Sequence, residues 1–461
     1  MNYAETIPVE LWLHCGSFCW IPELRQLCLT CTTFRDIFQP VVFAEKKVVI
    51  PKRERYDDER AIGGLQLDHF SQFSDTFDGL ITHSHLASYV KVLHVVDNLA
   101  AEISHGESLT RKAIPDRILR KMGAFSKLRS LNLSNLQLYG DGRRALDELP
   151  SSLEHLGLEM CGLASGSLLA LKSFRLTRCL HHAAEDNGLL HIVDPKTVQT
   201  LVFDASANPG GWEDAINSVV RSLCETTDAV FPSLRLLNVS FAATPKLLVS
   251  AFLRKCEHVE TLILDSSAHL FEMRYLPNLH SIHCPTILAE ALVSNRRVTT
   301  LTLVDRGLRT LPLSKALACI SSCPTLETIN ISSFIGQDDL LSVLDATTTA
   351  FPRLRNLRLA LQYPYGLFKL LMLLLASTRS KQIPLPPGLH ALCLVLPTSR
   401  ADLTRTETTL EPMQLARLLV RDTPAKELIK LSIMYVGCEV VCLRAVEGSR
   451  WIMEQWEAEL N

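Results

Sequence analysis

The sequence predicts an α/β solenoid, with parallel strands on one side and helices on the other, preceded by a small all-α module. Three observations predict it. A short apolar strand signature recurs along most of the 461-residue chain. Segments with helical spacing lie between many copies of it. The N-terminal stretch carries a different pattern, built on prolines and an i, i+3, i+4 apolar stripe.

The signature is Φxx-Φ-x-Φ, with Φ apolar. Clear copies are Leu128/Leu131/Leu133, Leu153/Leu156/Leu158, Leu171/Phe174/Leu176, Val198/Leu201/Phe203 and Leu234/Leu237/Val239. Others include Val298/Leu301/Leu303, Leu354/Leu357/Leu359 and Leu428/Leu431/Ile433. About thirteen copies run from Val90 onward, with a mean spacing of about 28 residues. The last two Φ positions are two apart, so both side chains point to one face of a strand. That face is buried, and the residues between point the other way. Helical spacing appears at Ala215, Val219, Val220 and Leu223, at Leu247, Leu248, Ala251 and Phe252, and at Leu340, Leu341, Val343 and Leu344. Each strand–helix unit can bury its apolar side only against its neighbours. A set of ordinary α/β cores would alternate strands and helices too. The repeated signature argues against it, as does the lack of a glycine-rich phosphate turn after a strand.

This pattern resembles the leucine-rich-repeat family, over roughly residues 90–436. The resemblance implies a right-handed solenoid that binds proteins on its concave sheet. In that family the position five after the middle Φ is often Asn or Cys and bonds backbone at the turn. Cys161 and Cys179 occupy it here. The outward strand positions are then the candidate target contacts: His155, Glu159, Arg175, Asp204, Asp265, His283, Asn330 and Arg358.

In the N-terminal stretch, Pro8 sits where a helix starts, with Glu10 favouring the helix dipole. Leu11 and Phe18 form one apolar set. Pro22 starts a second helix, whose Leu24, Leu27, Cys28, Cys31 and Phe34 make one stripe. Pro40 is expected to break the chain, and Gly16 to cost its helix about 1 kcal/mol against Ala. So small a module cannot bury enough surface alone and must pack on the repeats or on a partner.

The residues Ile7-Pro8-x-Glu10-Leu11 and Pro22-Glu23-Leu24-Arg25-x-Leu27-x-Leu29-x-Cys31-x-x-Phe34-Arg35 resemble the F-box motif. The segment His83 to Val95 resembles the bridge to the first repeat in fungal F-box proteins. The resemblance implies docking on the Skp-type linker subunit of a cullin–RING (SCF-type) ubiquitin ligase, through Ile7, Pro8, Leu11, Leu24, Leu27, Cys31 and Phe34. The repeats would hold an unknown protein substrate. The alternatives are an N-terminal cap that merely seals the first strand, and a repeat scaffold or inhibitor with no ligase role. The expected organisation is an F-box-like module at 1–46, a linker or helical bridge at 47–89, the repeats at 90–437 and a C-terminal cap at 438–461. In the cap, Trp451, Ile452 and Trp456 would cover the last strand.

Composition fits this reading. Net charge is -2, which speaks against a general nucleic-acid binder. The most apolar run, Leu367 to Ala376, is interrupted by Lys369 and far short of a membrane span. No secretory signal opens the chain. The 14 cysteines are scattered, many at apolar periodic positions, which suits buried thiols in cytosol or nucleus. Cys28 and Cys31 form a CxxC with no second pair, so a zinc site is not expected. His83/His85 and His181/His182 lack metal-ligand spacing. The mixed-sign run Lys52 to Arg60 suits a solvated linker. No nucleophile elbow, P-loop or dinucleotide fingerprint is present, so neither an enzyme nor a cofactor is expected.

Overall fold

Apolar residues at the signature positions bury themselves on one side of short strands, and neighbouring strands pair in parallel. The computed structural model describes residues 7–50, 77–97, 118–138, 149–163, 168–181, 192–204, 212–225, 230–240, 246–264, 275–304, 313–320, 323–332, 340–360, 385–395, 416–417, 427–435, 438–444 and 451–457. These fall into two compact units. The first comprises Met1–Leu234 with Ala243–Lys255, the second Arg235–Ala242 with Cys256–Asn461. The apolar run at Leu367 to Ala376, the run Lys52 to Arg60 and Asp265 lie outside the described residues. No described helix is long and apolar enough to cross a membrane.

The first unit begins with helices α1 (Val9–Gly16), α2 (Ile21–Thr30) and α3 (Thr32–Val42). The short helix α4 (Ser84–Ala87) follows, then α5 (Trp212–Glu225) and α6 (Lys246–Arg254). Its main strands are β1 (Glu45–Ile50), β2 (Val92–Asp97), β3 (Ser130–Ser134), β5 (His155–Glu159), β7 (Ser173–Thr177) and β9 (Thr200–Asp204), parallel and ordered along the chain. Two-residue strands β4 (Gln137–Leu138), β6 (Gly162–Leu163) and β8 (Leu180–His181) form a second small parallel sheet.

The second unit carries β10 (Leu236–Val239), β11 (Thr261–Leu264), β12 (Ser281–Cys284), β13 (Thr300–Leu303), β14 (Thr328–Ile331), β15 (Asn356–Ala360), β16 (Ala391–Val395) and β17 (Lys430–Tyr435), all parallel. Antiparallel β18 (Cys438–Leu443) and β19 (Ile452–Glu457) complete its sheet. Helices α7 (Thr286–Val293), α8 (Leu313–Cys319) and α9 (Leu340–Ala350) pack consecutively on one another. Both units are thus α/β on a long, mostly parallel sheet, with the chain-ordered strands that a solenoid requires.

The Φ residues do what their spacing predicts. Leu131, Leu156, Phe174 and Leu201 are cross-strand neighbours and fully buried. So are Leu262, Ile282, Leu301, Ile329 and Leu357 in the second unit. Several strands are entered through a turn closed by its first carbonyl. Leu153 N–H donates to Pro150 at 2.9 Å, Val259 to Cys256 at 3.1 Å and Leu354 to Phe351 at 3.1 Å. Pro352 holds the second position of its turn, where its fixed φ fits. The residue before the leading Φ often bonds the preceding repeat: Ser152 Oγ donates to Leu128 O (2.8 Å), Thr197 Oγ1 to Leu171 O (3.2 Å) and Thr325 Oγ1 to Val298 O (2.8 Å).

Beyond three consecutive strands of the first unit the chain turns through left-handed residues: Asn135 (φ 63°), Met160 (φ 50°) and Arg178 (φ 52°). Their N–H groups reach the end of the next strand, at Glu159, Thr177 and Asp204. The following residues, Leu136, Cys161 and Cys179, are buried. Cys161 Sγ donates to Leu133 O and Cys179 Sγ to Leu158 O, both at 3.4 Å. Each thiol therefore ties its turn to the repeat before it.

Several expectations need correction. The stripe from Leu24 to Phe34 is not one helix. Cys31 is extended (φ -156°, ψ 164°) and separates α2 from α3, its Sγ accepting the Phe34 N–H at 3.4 Å. Pro40 lies inside α3, within its last turn, and does not break the chain; its missing N–H removes one bond, the one that would reach the Asp36 carbonyl. The boundary at residue 46 cuts β1, a strand of the sheet rather than a linker. On β1 the inward positions are Lys46, Val48 and Ile50, so a charge stands at a core-facing position of an edge strand. Lys46 Nζ is satisfied by Val42 O at 3.0 Å and by the Phe43 ring at 3.9 Å. On α6, Leu247 is 86% exposed, and Val249, Phe252 and Leu253 face the core instead. The last parallel strand is covered by β18 pairing along its edge, while Ile452 is exposed.

Two stability predictions follow from this geometry. A left-handed backbone costs an L-residue about 1–2 kcal/mol and glycine little. Met160→Gly should therefore hold or raise stability by up to about 1 kcal/mol, and Met160→Val should lower it. Urea titration checks both. At Gly16 helix propensity and packing oppose each other. An added Cβ would stand 2.6 Å from Phe38 Cε1, a ring that is buried and cannot yield cheaply. Gly16→Ala should destabilise by about 1–3 kcal/mol. A melting temperature raised by this substitution would show that propensity wins.

Candidate functional surfaces

Two surfaces of opposite chemistry emerge, one on the helical module and one on the outward face of the sheet. The module has its own small core of Leu24, Phe38 and Val42, with Trp12, Leu27, Phe34 and Ile37 packed around it. Trp12 meets Phe34 edge to face, centroids 4.8 Å apart. The backbone N–H of Trp20 donates to Glu23 Oε2 at 2.7 Å, which caps the start of α2. Of the expected linker contacts, Ile7, Pro8 and Leu11 are exposed, and Leu27, Cys31 and Phe34 are partly buried. Leu24, at 2% exposure, is core and presents nothing to a partner.

The sequence reading missed the rest of the apolar surface. Nine of the 17 exposed large apolar side chains among the described residues lie between Ile7 and Val41. Phe18 is 76% exposed, Trp20 71% and Leu29 79%, and Leu13 also stands out in solvent. This is the densest concentration of exposed apolar side chains among the described residues. Phe18 and Leu29 were visible in the sequence, but only packing tells which apolar residues of a short helix are left over.

The outward strand positions are not buried where described. His155, Glu159, Arg175 and Arg358 are exposed, and Asp204, His283 and Asn330 are half-buried. The first unit brings His155, Glu159, Arg175 and Asp204 onto neighbouring strands. Arg175 stands beside Gly157 and Val202, while Asp204 stands beside Thr177. Ser134 Oγ donates to Glu159 Oε2 at 3.4 Å. In the second unit Asn330 Nδ2 donates to Thr302 Oγ1 at 3.2 Å, and Arg358 approaches Met434 Sδ at 3.8 Å. Sequence reasoning missed the outward residues of β1 and β2, among them Lys47 and His94. β1 escapes the signature because Lys46, paired with Leu93, stands where the middle Φ would be.

Among the described residues no three His, Cys, Asp or Glu side chains are placed to hold a metal ion. Burial and the Cys161 thiol alongside push the Cys179 thiol well up, and burial pushes Cys442 up to about 11. Thiols so placed are poor nucleophiles at neutral pH.

No family model matches the chain, and no curated protein matches it. Among solved structures, a crystal structure of a structural-genomics target from Bacteroides fragilis shares 11% identity, over 79% of this chain and 71% of that one, with a TM-score of 0.24. At that score the likeness carries no weight for fold or function.

Proposed function

We propose that this chain is the substrate-recognition subunit of an SCF-type cullin–RING ubiquitin ligase. The helical module is an F-box docking on the Skp-type linker, and the sheet, part of a right-handed leucine-rich-repeat solenoid, holds a protein target. The observation that carries this reading is the exposed apolar surface of the module. A terminal cap would turn its large side chains inward, whereas Leu11, Phe18, Trp20 and Leu29 are exposed. Burying one such side chain at an interface contributes roughly 1.5–3 kcal/mol. In this reading no residue of the chain performs chemistry. The protein raises the effective concentration of target lysines near the ubiquitin donor.

The test is capture of the linker by full-length protein. Leu11→Asp with Leu29→Asp should reduce capture to less than about a tenth, because each carboxylate would have to be desolvated in the seam. Both positions are exposed, so stability should move by no more than about 0.5 kcal/mol for each. Leu24→Ala should instead cost about 2–5 kcal/mol by opening the module core. Wild-type capture by the double variant, or no capture by the unaltered protein, sinks the ligase role.

A further inference from the structure

We propose that the outward sheet face of the first unit binds an extended acidic segment of a partner protein, anchored by Lys47 and Arg175 at the two ends of one row of side chains; this rests on the target-binding role proposed above for the sheet and gives that target a chemistry. Strand pairing makes the row continuous. Lys47 pairs with His94, His94 with Asn132, Asn132 with Gly157, and Gly157 with Arg175. With strands about 4.8 Å apart, the four steps span about 19 Å.

Lys47 and Arg175 are both exposed, and neither forms an ion pair with a described residue. His94 differs, since its Nε2 lies 3.1 Å from Glu45 Oε1. In the middle of the row Gly157 is buried, with the Asn132 amide lying over it, so Asn132 Oδ1 and Nδ2 are the polar groups between the two cations. Val49 lies on the same strand face as Lys47, and Val92 and Val96 on that of His94. They offer aliphatic contact to the side chains between the anchors.

Charge fixes both the sign and the shape of the occupant. The flanking rows hold carboxylates, Glu45 on one side and Glu159 and Asp204 on the other. These rows lie about 7 Å from the central one. A helix is about 10–12 Å across with its side chains and would set its acidic residues against them. An extended segment fits a single row. It advances about 3.4 Å per residue and turns alternate side chains to one face, so carboxylates six residues apart span about 20 Å.

Fluorescence anisotropy with the full-length chain tests this. The probe is a labelled nonapeptide of Ser and Val with two Glu six residues apart. Controls replace both Glu by Gln, or set them three apart. The Glu probe should bind about ten-fold or more tightly than either control, and the difference should shrink at high salt. Lys47→Glu with Arg175→Glu should reverse the preference towards a Lys-substituted probe, and the Ala pair should abolish it. Equal binding of Glu and Gln probes, no saturable binding, or a preference that survives charge reversal overturns the proposal. Linker capture is measured on the same proteins. Capture without a probe preference removes this proposal alone. A probe preference without capture removes the ligase role and leaves the acidic-segment surface standing.

Discussion

The carbonyl immediately before a strand accepts two N–H groups from the next one. Ala44, Lys91, Arg129, Glu154 and Lys172 each do so in the first unit, with N···O distances of 2.8–3.0 Å. Arg235, Glu260, His280, Thr299, Glu327, Arg355 and His390 repeat it in the second. The interaction fixes register before any side chain is considered. A slip of one residue would turn Leu131, Leu156 and Phe174 to water and Asn132 and Arg175 into the core. Burial of the Φ residues and the layout of the outward face both rest on it.

The rest of each unit reinforces that pairing with local chemistry. Hydroxyls of Ser152, Thr197 and Thr325 and thiols of Cys161 and Cys179 all donate to carbonyls of the preceding repeat. These hydroxyls and thiols are thereby satisfied between repeats, as burial requires. Each repeat thus depends on its neighbour for hydrogen bonds as well as for apolar cover. In the first unit, the inward Lys46 and the end of α3 lie at β1, the first strand. In the second unit, two antiparallel strands extend the pairing after β17.

The two candidate surfaces follow different physics. On the helical module, three short helices supply more apolar side chains than the core of Leu24, Phe38 and Val42 can bury, and the surplus faces water. Affinity there would come from area. On the sheet, every outward side chain has a fixed place set by register, and exposed Lys47 and Arg175, which form no ion pair with a described residue, stand at a defined separation. Recognition there would come from spacing and sign, because isolated surface ion pairs contribute little by themselves.

The sequence by itself determined the strand signature, the burial of its Φ positions, the non-buried state of most residues beside them and the proline-led helices of the module. These are local properties, fixed by the two-residue period of a strand and the turn of a helix. The buried face of α5, with Ala215, Val219, Val220 and Leu223, was legible for the same reason. Tertiary structure decided the rest. Lys46 could be placed inward only once β1 had found β2 as its partner. Leu247 and Val249 are equally apolar, and only packing against neighbouring elements left the first in solvent and buried the second. Gly16 reads as a defect of α1 until Phe38 from α3 fills the space above it. Lys47, Gly157 and Arg175 are separated by more than a hundred residues between first and last, and only strand pairing brings them into one row. Contacts of that kind depend on which strand lies next to which, and no period within a single segment encodes it.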